Sequence, residues 1–388
     1  MISISAILTL VIALLSLVAL MIIHEFGHFI IAKKFGVRVD EFGIGYPPRI
    51  FGKKIGETIY SINWLPLGAF VIIYGEEGGV DDYRSFTGLA IWKRVLIIIG
   101  GVVAFWIASI IIFSVMFMIG TDLPIGDQDV AGVTNTRVAI VNVMSGSTAE
   151  TAGLKMGDVI LEAQSNKYES ANSGSEIIEI EKIKDFQDFT KSHAGEEIIL
   201  TIQREKETIN IPLSPKVNPP EGQGAVGVGL QRMATLIEKY PWYQAPVQGL
   251  IYTWQTTTLT LNGLYAILIG PFIGKEAPVG AEFAGPLGIT IFLANAASYG
   301  LGFFLYLIGT ISVCIAIFNL FPIPALDGGK LVFLLIEKIK GKPVSVKIEQ
   351  NITMICFVLL IALSIFITIK FDIPRVGEYF SQAISRNK

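Results

Sequence analysis

The sequence predicts an α-helical polytopic membrane protein of about four spans, with a small domain of mixed strands and helices inserted outside the membrane. Of its 388 residues, 52% are hydrophobic and 16% are charged, and a mean hydropathy of +0.59 is too high for an ordinary soluble globule. Apolar runs long enough to cross a hydrocarbon core of roughly 30 Å recur along the chain. Between two of them, residues 122–214 are polar and alternate short strand-like runs with turn residues.

The elements follow in order. The run Met1 to Ile23 has no Lys or Arg before it and no small-residue cleavage site after it, so it is expected to stay as a span within a first helix, 1–35. The segment 36–94, with the end of the first helix, carries Lys33, Lys34, Arg38, Arg49, Lys53, Lys54, Arg84, Lys93 and Arg94, and is expected on the cytoplasmic side. A second span covers 95–121. The polar domain, 122–217, then lies outside, with strands such as Arg137–Val143 and Glu197–Gln203. A Pro-Gly-rich linker, Asn218 to Gly224, is expected to close it.

Residues 218–298 are expected to hold that linker and helices at the membrane surface. They include the run Tyr240 to Gly274, which is interrupted by Gly, Pro and Thr. A third span falls at 299–326. A Lys-rich cytoplasmic segment follows at 327–349, then a fourth span at 350–370 and a tail at 371–388. With 30 basic and 33 acidic side chains the net charge is −3, and no polybasic tract appears, so phosphate-driven nucleic-acid binding is excluded. Cys314 and Cys356 both sit in apolar runs, which supports neither a disulfide scaffold nor a cysteine metal site.

Two of the three histidines stand four apart in His24-Glu25-Phe26-Gly27-His28, directly after the first apolar run. On a helix, positions i and i+4 share one face about 6 Å apart along the axis, so both imidazoles can hold one ion with Glu25 beside it. This is the zincin spacing, in which the glutamate acts as general base. A bland reading, two polar residues at a span's end, is outweighed because ionisable groups in a membrane segment are expensive and usually mark function.

Zinc then needs a third protein ligand. His193 lies among Lys191, Glu196 and Glu197 and is expected to be a solvated surface residue. Asp327 is the better candidate, in Asn319-Leu-Phe-Pro-Ile-Pro-Ala-Leu-Asp-Gly-Gly329. Pro322 and Pro324 should break the helix and leave unwound chain that presents a carboxylate at membrane depth. Asp327 can join His24 and His28 only after an even number of crossings. The run Tyr240 to Gly274 is therefore expected to lie on the outer surface or to pack on the bundle.

With these residues the chain resembles the site-2 protease family of intramembrane zinc metalloproteases, in particular the bacterial members with one extracytoplasmic PDZ domain. Further matches are Pro66-Leu-Gly-Ala-Phe-Val71, Phe86 through Trp92-Lys-Arg94, Gly285-Pro-Leu-Gly-Ile289, Phe371-Asp-Ile-Pro-Arg375 and the PDZ-like stretch Ser145 to Ile160. One departure is Gly100-Gly-Val-Val-Ala-Phe105, where the family has Ala-Gly-Pro followed by Asn.

The resemblance implies an α-helical polytopic fold with an inserted α+β PDZ domain and a membrane-dipping β loop at Ile62 to Tyr74. It implies a Zn2+ cofactor on His24, His28 and Asp327, Glu25 as the catalytic base, and Asn319 and Gly68 as substrate-binding positions. It also implies a bacterial cytoplasmic-membrane location with the active site toward the cytoplasm. The partners would be the lipid bilayer and single-pass substrates such as anti-sigma factors or remnant signal peptides. The PDZ domain would either bind an exposed C-terminus or act as a size filter. Two other classes are a catalytically silent PDZ scaffold, which a missing Glu25 or ligand would favour, and a metal transporter, which predicts more polar residues within the spans.

Overall fold

The computed structural model describes residues 4–80, 82–120, 122–125, 127, 133–144, 146–165, 176–204, 207–220, 223–236, 239–273, 284–298 and 300–377. Expectations that fall on Ser145, on 274–283 and on the tail from 378 lie outside these residues.

Among the described residues, four helices are long and apolar enough to cross a membrane. They are α1 (Ile4–Lys34), α2 (Ile91–Ile119), α7 (Leu301–Asn319) and α9 (Val346–Ile367), the last continuing through a π-helical turn at Thr368–Asp372. Apolar side chains gain little by leaving lipid for protein, so close packing and interhelical hydrogen bonds must hold such helices together. Gly27 on α1 meets Gly100 on α2 so closely that a Cβ on Gly27 would strike the Gly100 carbonyl. Phe113 of α2 fills the space left at Gly309 of α7. Ser109 donates to the Gly309 carbonyl at 3.1 Å, and Ser312 to the Phe105 carbonyl at 2.8 Å. By contrast α9 buries none of its residues. It meets the rest of the chain near its ends, where Thr353 donates to the Pro324 carbonyl and Asp372 accepts from Gly285 N–H at 3.0 Å.

Between α1 and α2 runs a long antiparallel pair, β1 (Val39–Ile55) and β2 (Thr58–Ile73). Its register is folded back on itself: Glu41 lies opposite both Ile59 and Ile72. The segment 39–44 therefore has one half of β2 on each side, and the half at 69–73 has no second strand neighbour among the described residues. A polar network ties the layers. Glu41 accepts from Ser61 at 2.5 Å and from Arg49, and Asn63 donates to the carbonyls of Ile44 and Gly45. The outer surface is apolar, with Ile50, Phe51, Ile62, Trp64, Leu65 and Leu67 exposed.

The inserted domain is a sheet of seven strands: β3 (Asp122–Ile125), β4 (Val133–Val143), β5 (Val159–Ser165), β6 (Ile177–Glu179), β7 (Ile198–Arg204), β8 (Glu207–Leu213) and β9 (Val228–Leu236). Their order is β3-β9-β4-β5-β7-β8, with β6 pairing β5. Short α3 (Thr148–Ala152) and amphipathic α4 (Ile183–Ser192) accompany it. The core includes Ile140, Ile160, Phe186, Phe189, Leu200 and Ile202. Asp127 accepts from the first backbone N–H groups of α4 at Ile183 and Lys184, which pins that helix end.

Two features differ from expectation. The sheet does not end before the linker, because β9 inserts between β3 and β4 and carries the domain to Leu236. His193 is buried rather than solvated. It ends α4 with its ring against Phe189 at 4.3 Å and its Nδ1 at 3.0 Å from the Phe189 carbonyl.

The run beginning at Tyr240 becomes α5 (Ala245–Ile269). It packs on the bundle with its Thr face inward and Leu250, Trp254, Leu261 and Tyr265 exposed. Tyr252 meets Tyr306 of α7, and eight residues later Thr260 meets Cys314, so α5 and α7 run parallel. After α6 (Pro286–Ser298) and α7, a turn containing Pro322 and Pro324 leads into α8 (Asp327–Lys340).

Candidate metal centre

The first two candidate ligands come from the lower part of α1, where His24 and His28 are both buried. Their Nε2 atoms are 3.2 Å apart, as the i, i+4 spacing requires. Each ring is held from behind. His28 Nδ1 is 2.9 Å from the Ile97 carbonyl of α2, which leaves Nε2 facing the site. The His24 ring stacks on Phe105 with centroids 4.6 Å apart and planes 17° from parallel.

The third comes from beyond α7. That helix ends at Asn319, and the turn closes with Ile323 N–H on Phe321 O at 2.7 Å and Leu326 N–H on Ile323 O at 2.8 Å. Asp327 is the first residue of α8, where a carboxylate is favoured by the helix dipole. Gly328 and Gly329 follow because a Cβ at either would collide with the turn's backbone at Leu320, Phe321 and Ile323. This close wrapping brings Asp327 Oδ2 to 3.4 Å from Nε2 of both histidines.

One ligand atom from each of the three residues lies within 4.8 Å of the others. Asp327 Oδ2 is buried and has no hydrogen-bond partner among the described residues. An unsatisfied buried carboxylate oxygen facing two imidazole nitrogens is costly without a cation between them. Two nitrogens and one oxygen are also the donor set of a catalytic zinc site. The residues therefore fit a metal ion. Gly101 of α2 provides the space, since a Cβ there would run into His28 Nε2 and lie 2.8 Å from His24 Cε1.

The other sequence-predicted residues fall around this set. Glu25 is half-buried and interacts electrostatically with His28, Asp327, Lys330 and Glu76. Asn319 is half-buried, and its side chain makes no hydrogen bond among the described residues. Gly68 is buried within β2 at φ 112°, with the Tyr46 ring over it. Lys330 donates to Glu76 at 2.5 Å. Its partial burial works against the charge, but Glu76, with Asp327 and Glu25, more than offsets this and holds the ammonium above the ordinary lysine range.

Sequence reasoning missed Gly101, Phe105 and the Ile97 carbonyl as parts of the site. A Gly-Gly pair in an otherwise bulky apolar helix was the available signal, because small residues mark close approach between membrane helices.

Fold and site together define a polytopic membrane protein with a cluster of two buried histidines and one carboxylate that could hold a metal ion. Residues 12–363 match the model of Peptidase family M50. The chain is 32% identical to a protein named as a candidate zinc metalloprotease of Clostridium perfringens, over 92% of this chain and 96% of that one. It is 30% identical to a similarly named protein of a Nostoc species, over 92% and 94%. To the zinc metalloprotease RasP of Geobacillus kaustophilus it is 25% identical, over 90% and 94%. The chain belongs to peptidase family M50, the site-2 proteases, and is a membrane metalloprotease.

Proposed function

We propose that the protein is a zinc-dependent intramembrane endopeptidase that cuts single-pass membrane proteins, the reading carried by the convergence of His24, His28 and Asp327 beside Glu25. Zinc is the cofactor, and when bound it lowers the pKa of water and polarises the scissile carbonyl. His24, His28 and Asp327 are the ligands. Glu25 takes a proton from the attacking water and returns it to the leaving amine, as a general base and then a general acid. The Ile97 carbonyl and the Phe105 ring keep the imidazoles aimed at the ion.

A helix cannot be cut while its carbonyls are bonded within it, so the substrate must be unwound and its freed groups paired. The open side of 69–73 in β2 supports pairing by strand addition, with Gly68 and the apolar sheet surface dipping into the bilayer. The free amide of Asn319 binds a substrate peptide group near the cut. The sheet domain, now 122–236, is the PDZ domain on the outer face, where it binds an exposed C-terminus or excludes bulky ectodomains. The Lys-rich segments support an active site toward the cytoplasm of a bacterial cell. Anti-sigma factors and remnant signal peptides are substrates of the right form.

The test is zinc content together with cleavage of a tagged single-span protein in detergent. Glu25→Gln is expected to keep zinc and lose cleavage, and Asp327→Ala to weaken zinc. Cleavage by Glu25→Gln, or a purified chain without zinc, would refute the mechanism.

A further inference from the structure

Asp327 and Lys330 open the first turn of α8 three residues apart, and so share a face of that helix. From this face Lys330 reaches across 254 residues of sequence to Glu76. Glu76 is not on a loose loop. Its N–H bonds back to the Ile73 carbonyl, the last residue of β2, at 3.1 Å, and Tyr74 N–H is bonded to the Arg38 carbonyl at 2.9 Å. The pair therefore joins the turn that carries the third ligand to the end of the strand proposed to receive substrate. Both of its charges also act on Glu25. The far end of α8 is held separately, by the buried two-point ion pair of Glu337 with Arg94.

The two pairs differ in surroundings. Arg94 and Glu337 are largely buried, with side-chain exposures of 8% and 16%, whereas those of Lys330 and Glu76 are 43% and 22%. A partly exposed pair contributes little to folding stability. Fixing a catalytic group to within a fraction of an ångström is a different matter, since small misplacements cost rate.

We propose that Lys330 and Glu76 are a positioning pair for the proteolytic reaction: their ion pair locks Asp327, and the space beside Glu25, in register with the substrate-bearing end of β2. This rests on the proposed peptidase function. Neither residue touches the reacting atoms. The pair acts by keeping the metal-bearing helix and the strand from sliding relative to one another.

The experiment uses the full chain in detergent with zinc, and as probe a tagged single-span protein whose Leu-Ala helix is interrupted by Gly-Pro. Lys330→Met is expected to lower kcat at least about tenfold. KM should stay within about twofold, and zinc content and the thermal midpoint should be unchanged. Lys330→Arg, which keeps the charge and reach, recovers most of the rate. Glu76→Gln loses rate to a similar extent, and the double variant Lys330→Met/Glu76→Gln loses no more than either single one, because one interaction is lost in all three. Glu57→Gln breaks a comparably exposed ion pair, with Lys33 and Arg84, and leaves kcat unchanged.

Equal kcat in Lys330→Met and the unmodified chain, or additive losses in the double variant, would overturn the proposal. So would zinc content or thermal midpoint falling in step with rate, since the pair would then be an ordinary brace. An unmodified chain that holds zinc and cuts nothing would overturn the peptidase reading itself, and the pair's role with it.

Discussion

Replacing Gly101 by Ala adds one methyl group where the metal ligands converge. A glycine in a helix interior is worse than alanine by about 0.8–1.0 kcal/mol, so by propensity alone the change should stabilise α2. The added Cβ, however, would overlap His28 Nε2 and Cε1 and stand 2.8 Å from His24 Cε1. Neither ring can step aside without loss. His28 is tied to the Ile97 carbonyl at 2.9 Å, His24 is stacked on Phe105, and the two rings pack edge-on with centroids 4.6 Å apart.

Relieving the overlap needs a shift of about 1 Å, against Zn–N bonds of about 2.0–2.1 Å that tolerate only a few tenths. Disturbing the groups that orient metal ligands typically costs about 10–100-fold in affinity, which is about 1.4–2.8 kcal/mol. The assay is competition for zinc with a chromogenic chelator, alongside thermal unfolding of the zinc-free chain. Zinc affinity should fall by that factor while the zinc-free midpoint changes little, the helix-propensity gain offsetting the disturbed ring contacts. Unmodified zinc affinity in Gly101→Ala would refute the placement of α2 against the ligand set.

Three further outcomes are expected. Arg94→Met leaves Glu337 buried without its partner and should destabilise the chain by about 3–5 kcal/mol in detergent unfolding, with most of the loss recovered in Arg94→Met/Glu337→Met. Hydrogen bonds from Lys33 and then Arg84 hold the Glu57 carboxyl below its ordinary range. Its stabilisation is therefore present in full above the unfolded pKa and lost as pH falls through the lower folded value. The midpoints of the unmodified chain and Glu57→Gln should differ at neutral pH and draw together as pH falls below the ordinary glutamate value of about 4.3, and a gap that does not shrink on acidification would contradict this. Gly288→Ala pushes a methyl into the Asp372 carboxylate, which should free the far end of α9 from α6 and raise proteolytic nicking near Asp372 with zinc content unchanged.

The sequence made legible what local chemistry writes plainly. Apolar runs gave the four long helices, because lipid allows no alternative way to satisfy a spanning backbone. That His24 and His28 would lie together could be read from one helical turn, and that Asp327 could join them from the prolines before it. What was not legible depends on partners distant in the chain. The pairing of β9 with β4 joins segments on either side of most of the domain, and the Pro-Gly stretch at 218–224 looks locally like an exit. His193 stands among charged neighbours, yet the end of α4 turns its ring onto Phe189, a fact of helix geometry that composition does not carry. The importance of Gly101 appears only once α2 is known to lie against the histidine face of α1.

The same distinction explains how a site assembled from residues 303 positions apart is positioned before any ion enters. His24 and His28 are fixed to α2 through Gly27 and Gly100, and α2 is fixed to α7 through Gly309 and the serine hydroxyls at 109 and 312. Asp327 follows α7 after one tight turn. Each link is close packing against a glycine or a hydrogen bond to a backbone carbonyl, the contacts that hold helices together where lipid is the solvent. The remaining requirement is that α7 descend to the depth of the histidines. Beside α7, the threonines of α5 spend their hydroxyls on their own helix, Thr253 on Gly249 O, Thr257 on Thr253 O and Thr260 on Thr256 O. With those hydroxyls satisfied within the helix, α5 packs parallel to α7, Tyr252 against Tyr306 and Thr260 against Cys314.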